Sequence, residues 1–245
     1  MTTAITRRAG GKPVHGVQLG IIILDTRFER VPGDVGHAGS FPFPVQYEVA
    51  NGYRKGSLLK PEDPAVLEEF LRAADKLIAQ GVAGIATSCG FLSIFQPYLT
   101  ERLGVPVATS SLLQVPLVQQ LLPRGRRVGV LTANAANLTP AHFTAVGAPG
   151  DTPFAGLNPE GVFRANLTQG NPSIDRAAHE ADVLEAAERL LAAQPDIGAL
   201  VLECTNLSPY SSALEKRFGL PVYDILSLLH WFQAGLRPPR HAHEG

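Results

Sequence analysis

Cys89-Gly-Phe-Leu92-Ser93, continued by Arg102, Gly104, Pro106 and Val107, recurs as Cys204-Thr-Asn-Leu207-Ser208, continued by Arg217, Gly219, Pro221 and Val222. Both copies fit C-x2-L-S-x8-R-x-G-x-P-V and stand 115 positions apart. An apolar run precedes each cysteine, Val82 to Ala86 and Ile197 to Leu202. A repeat of this length predicts two similar halves with one cysteine at the same address in each. Packed face to face, such halves place two thiols on opposite walls of one cleft. That arrangement suits one base and one acid on opposite faces of a flat intermediate.

Working outward, strand and helix patterns alternate. Val17 to Leu24 reads as a buried strand. Residues 28–61 are rich in Gly and Pro and read as one long loop. Asp63 to Gln80 has helical apolar spacing, with Asp63 placed to cap and Pro64 at the first position. Further strands are expected at Val82–Ala86, Pro106–Thr109, Val128–Leu131, Gly198–Leu202 and Pro221–Tyr223, with a weak one near Phe154. Helices are expected at 92–103 (flawed at Pro97), Leu112–Leu122, Thr139–Val146, Asp175–Ala193, Pro209–Phe218 and Ile225–Ala234. The resulting expectation is an α/β fold of two pseudo-symmetric lobes, each a parallel sheet flanked by helices, with the active site in the cleft between them. Boundaries follow: a disordered tail over 1–16, a first lobe over 17–125, a second over 126–223, the helix 224–234 returning to the first lobe, and a flexible tail over 235–245.

In parallel sheets the ligand crevice lies past the strand C-termini. Cys89 and Cys204 each follow a strand and precede a helix. A helix start presents free N–H groups and partial positive charge, which lower a thiol's pKa and hold a carboxylate. Ser88 and Gly90 flank the first cysteine; Thr205 and Asn206 follow the second. Asp25 and Arg27 follow the first strand, and Thr132 and Asn134 follow the strand that ends at Leu131. These eight residues are the expected substrate-binding set. Taken singly, each has a plain structural role open to it: cysteine is a common core residue, Asp25 can cap a turn, and Arg27 can sit at the surface. The matched position of the two cysteines is what favours catalysis.

The chain has 245 residues, 45% hydrophobic and 18% charged, with a formal net charge of -1. That balance favours neither nucleic acid nor a membrane surface as partner. Leu19 to Leu24 is too short to span a bilayer. Two cysteines make no disulfide framework, so a reducing cytoplasm is expected. There is no G-x-G-x-x-G after the first strand and no Walker pattern. The five lysines all lie away from strand ends and the histidines are scattered. No cofactor and no metal are therefore expected. The expected partner is a small-molecule carboxylate; self-association into a homo-oligomer stays open.

These segments resemble the aspartate/glutamate racemase superfamily, which includes hydantoin racemases, maleate isomerases and arylmalonate decarboxylases. Thr87-Ser88-Cys89-Gly90 is similar to the family's Ala-Cys-Asn-Thr stretch and Glu203-Cys204-Thr205 to its Gly-Cys-Thr stretch. Asp25-Thr26 resembles its early Asp-Ser, and Leu131-Thr132-Ala133-Asn134 its Ala-Thr-x-x-Thr. The resemblance implies cofactor-independent proton transfer at a carbon next to a carboxyl or carbonyl group. Gly90 stands where amino-acid racemases have Asn, and Asn206 where glutamate racemases have His, which argues against a peptidoglycan-type glutamate racemase. The expectation is an isomerase: a racemase or epimerase of an amino acid or related acid, with Cys89 and Cys204 as a two-base pair. The alternatives are a single-cysteine isomerase or decarboxylase of the same superfamily, or a non-catalytic ligand-binding protein.

Overall fold

The computed structural model describes residues 12–51, 64–169 and 173–238. Most of the expected N-terminal tail, Asp63 and residues 239–245 lie outside them.

Among the described residues there are two four-stranded sheets, parallel throughout. The first holds β1 (Leu19–Leu24), β2 (Val45–Ala50), β3 (Gly84–Thr87) and β4 (Val107–Ala108) in the order β2-β1-β3-β4. The second holds β5 (Arg127–Thr132), β6 (Phe154–Gly156), β7 (Ile197–Leu202) and β8 (Val222–Tyr223) in the order β6-β5-β7-β8. Each sheet repeats the other with the strands renumbered by four, so the sequence repeat is a repeat of topology. Cys89 follows β3 and Cys204 follows β7, which are equivalent strands. In register, Leu19 lies beside Gly84 and Ile22 beside Thr87; in the second sheet Leu200 lies beside Val222 and Val201 beside Tyr223.

Strand alternation sorts the core into layers. Leu19 and Ile21 face one side of the first sheet, Ile22 and Leu24 the other. Against Ile22 and Ile85 packs α1 (Pro64–Gln80), through Phe70, Ala74 and Leu77. Against Leu19, Ile21 and Ala86 packs α8 (Ile225–Leu236), through Ile225, Leu228 and Leu229. The second sheet behaves alike. Leu200 and Leu202 meet α6 (Arg176–Ala193) and α7 (Ser211–Phe218) at Val183, Leu190 and Leu214. Val128, Val130 and Val201 meet α3 (Val115–Leu121) and α4 (Pro140–Thr144) at Val118 and Phe143. Each such fully buried aliphatic or aromatic side chain contributes about 1.5–3 kcal/mol. Thus α3, which ends the first half, covers the second sheet, and α8, which ends the second half, covers the first.

The structure departs from the sequence reading in three places. The expected loop over 28–61 contains β2, a half-exposed strand at the sheet edge. Its pattern was masked by Pro42 and Pro44 just before it, and an edge strand has little apolar character of its own. A helix absent from the sequence reading, α5 (Val162–Gln169), precedes α6. Pro97 is no flaw: a 3₁₀ turn over Gly90–Phe95 ends there, and Pro97 sits in the first turn of α2 (Gln96–Arg102), where its missing N–H costs nothing.

Candidate active site

The site is assembled where β3 and β7 end. Cys89 is extended (φ −141°, ψ 113°) and opens the 3₁₀ turn at Gly90. The N–H groups of Phe91 and Leu92 point at its sulfur. Cys204 starts a turn in which Leu207 N donates to its carbonyl at 3.0 Å, with the N–H of Asn206 toward its sulfur and its thiol 3.7 Å from Asn206 Oδ1. Both thiols are free and half-buried.

Next to Cys204 in the chain, and against Gly90, lies a residue outside the expected set. Glu203 is fully buried. Its Oε2 accepts a hydrogen bond from Thr132 Oγ1 at 2.6 Å, while Oε1 has no partner. A Cβ on Gly90 would overlap both the Glu203 carbonyl oxygen and Oε1. Glycine directly after the first cysteine is therefore what lets the Glu203 carboxyl lie against it. The sequence did hold a signal: a charged residue closes the apolar run Ala199–Leu202 immediately before the cysteine. What it could not show is that Gly90 faces it.

Electrostatics follow from burial. Glu203 is pushed up from 4.5 to about 7 by desolvation, with the Thr132 hydroxyl pulling the other way. Cys89 is pushed up to about 12, first by burial and then by the Glu203 charge, against the pull of its two N–H donors. Cys204 is raised further, by burial, Glu203, Cys89 and Asp34. The expectation that the turn starts would lower the thiol pKa values is thus wrong. Two N–H groups at Cys89 and one at Cys204 are outweighed by desolvation and a neighbouring carboxylate.

The other expected residues divide into those that converge and those that do not. Thr132 holds Glu203, and the Asn134 backbone N–H donates to Thr132 Oγ1 at 3.3 Å. The Asn134 side chain makes no hydrogen bond among the described residues. Thr205 Oγ1 donates to the Ser88 carbonyl at 2.8 Å, joining the two lobes, and Ser88 Oγ accepts from Leu24 N at 3.0 Å. Asn206 Nδ2 donates to Asp34 Oδ2 at 2.6 Å. Asp34 is buried, and also accepts from Arg30 at 2.9 Å and from Gly36 N at 2.7 Å. Asp34 and Arg30 thereby latch the segment after β1 onto the second cysteine's turn. Asp25 and Arg27 do not join this group. They pair with each other at 3.0 Å, with the Arg27 side chain 82% exposed. Ser111, also unforeseen, donates to the Leu202 carbonyl across the lobes.

No family profile matches the chain. It is 30% identical over 232 residues to a dimethylsulfoniopropionate lyase of Durusdinium sp. clade D, which covers 91% of this chain and 76% of that one. It is 34% identical over 234 residues to dimethylsulfoniopropionate lyase 7 of Emiliania huxleyi (strain CCMP1516), covering 89% of this chain and 67% of that one. Among solved structures it is similar to a mutant of arylmalonate decarboxylase in its sulfate-associated form, with TM-score 0.61 and 23% identity over 91% of this chain and 97% of that one. Allantoin racemase from Pseudomonas fluorescens matches with TM-score 0.54 and 12% identity, over 92% of this chain and 99% of that one. The fold is therefore that of arylmalonate decarboxylase and allantoin racemase, the fold that the resemblance implied. The activity expected from it is corrected: the curated relatives are lyases, so the isomerase reading, a racemase or epimerase using Cys89 and Cys204 as two bases, does not stand. The chain belongs to the dimethylsulfoniopropionate lyase family.

Proposed function

We propose that this chain is a lyase acting on a 3-sulfoniopropionate, of which dimethylsulfoniopropionate is the type. A base removes a proton from the carbon next to the carboxylate. The C–H electron pair becomes the new C=C bond, and the C–S pair leaves with the sulfur. The products are a neutral sulfide, an α,β-unsaturated carboxylate and the proton on the base. One base suffices, so the reading is the single-cysteine one: the sulfonium charge of the bound substrate offsets the burial that raises the thiol pKa values, and one of Cys89 and Cys204 takes the proton as thiolate while the other contacts the substrate.

The observation that carries the reading is the pair of half-buried free thiols at equivalent strand ends, in a chain whose relatives are lyases. Removing a proton beside a carboxylate needs donors that stabilise the enolate-like charge as it forms. The N–H groups that follow each cysteine and the unengaged Asn134 amide are suited to that task. Free thiols suit a reducing compartment, and the cytoplasm remains the proposed location. Among the described residues no helix is long and apolar enough to cross a membrane.

The test is direct. Purified protein given dimethylsulfoniopropionate should release dimethyl sulfide and acrylate in equal amounts. Replacing the base cysteine by Ala should slow this by about 10²–10⁴-fold, the usual worth of a positioned base. The other cysteine's Ala variant should lose less, which assigns the roles. Wild-type rates in both Cys89→Ala and Cys204→Ala, or carbon dioxide in place of the sulfide, would sink the reading.

A further inference from the structure

Glu203 is an anomaly that catalysis by the thiols does not use. Buried carboxylates ordinarily pair with a cation or satisfy both oxygens. Here one oxygen takes the Thr132 hydroxyl and the other takes nothing. None of the influences on its ionisation is a Lys, Arg or His. The titratable groups that sense it are the Cys89 thiol, on the turn that follows β3, and the adjoining Cys204 thiol, which also senses Asp34 from the latched segment. All of these are neutral or anionic. The surroundings thus hold a carboxyl with one unpartnered oxygen, in a dry place, against Gly90 and next in the chain to Cys204.

Room for that group is made on the opposite lobe. Any side chain at position 90 would collide with the Glu203 carboxyl and its carbonyl. A site built to bind only a carboxylate would gain nothing from a second anion here. A substrate that is cationic two carbons from its carboxylate would.

We propose that Glu203 is the specificity residue for the substrate's positive centre, its unpartnered oxygen supplying the counter-charge to a sulfonium or like-shaped ammonium group. This rests on the lyase reading for the identity of the substrate. Glu203 acts by binding, and the proton transfer stays with the thiols. Its raised pKa is in keeping with the absence of a cation in the free protein: burial without a partner disfavours the charged form, and a bound cation would restore it.

The test compares two unreactive probes with the heavy-atom skeleton of the sulfonium substrate. One is 3-(dimethylammonio)propionate, cationic through neutral pH; the other is 4-methylpentanoate, neutral at that end. Binding is read by calorimetry, independently of turnover. At pH 8 the wild-type protein should bind the ammonium probe about tenfold or more tightly than the neutral one, as expected for a desolvated charge pair. Glu203→Gln should bring the two affinities together, mainly by weakening the ammonium probe. In the wild-type protein alone, taking the pH from 8 to 6 should weaken the ammonium probe several-fold and leave the neutral probe unchanged, because the carboxyl takes up a proton over that range. This second measurement does not depend on the variant folding. A cation preference that survives in Glu203→Gln, or one that ignores pH in the wild type, would overturn the proposal while leaving a sulfonium-cleaving activity intact. A cation preference lost in Glu203→Gln, in a protein that releases no sulfide, would keep the proposal and overturn the lyase reading instead.

Discussion

Glu203 makes the folded protein titrate. Its carboxyl holds a proton more tightly in the folded chain than in the unfolded one, about 7 against 4.5. The sign follows from proton counting: the stability it contributes is fully present below pH 4.5, is lost as pH rises toward 7, and is absent above. Glu203→Gln removes this titration. At pH 8 the variant should be more stable than wild type by up to about 3 kcal/mol, the ceiling set by the shift. The gap should close as the pH falls to 5. Urea unfolding at several pH values checks this. His142 and His179, whose pKa values burial lowers, titrate in both proteins and cancel in the difference. An equal gap at pH 5 and pH 8 would mean that Glu203 is solvated. The two cysteines were legible in the sequence because they recur at one spacing. Glu203 was not, because its meaning comes from Gly90, far away in the chain and across the cleft.

The segment between β1 and β2 is the element whose character the sequence concealed. Its Gly and Pro content reads as loop, and most of it is one, but it is anchored. Gly33 lies at φ +98°, a conformation side chains resist, and a Cβ there would come 3.0 Å from Pro209 Cα in the second lobe. Asp34 ties Arg30 on one side and Asn206 on the other. Asp34→Ala leaves the largely buried Arg30 guanidinium without its carboxylate, and should cost about 3 kcal/mol or more. It should also speed proteolytic cutting within residues 28–40. Unchanged cutting would mean that the Asp34 contacts do not hold the segment. The strands and main helices were legible for the opposite reason: their apolar spacing is local. Anchors such as Asp34 to Asn206, or Thr205 to Ser88, join positions that only the finished fold brings together.

At the scale of the molecule, the two sheets share their coverings. The first half's α3 closes the second sheet and the last helix, α8, closes the first. Leu229 is fully buried in that closing layer. Leu229→Ala should cost about 2–5 kcal/mol and lower a single calorimetric transition, since neither sheet keeps its core without the other half. Two separated transitions would show the lobes to be independent. The same exchange bears on birth at the ribosome. Strands β1 to β4 are complete once Ala108 has emerged, yet the helix that shields one of their faces begins only at Ile225. At about 5–20 residues per second, that face waits on the order of ten seconds for its cover. Leu19, Ile21 and Ala86 are then open to whatever passes, which makes the nascent first sheet a natural client for a holding chaperone until the last helix arrives.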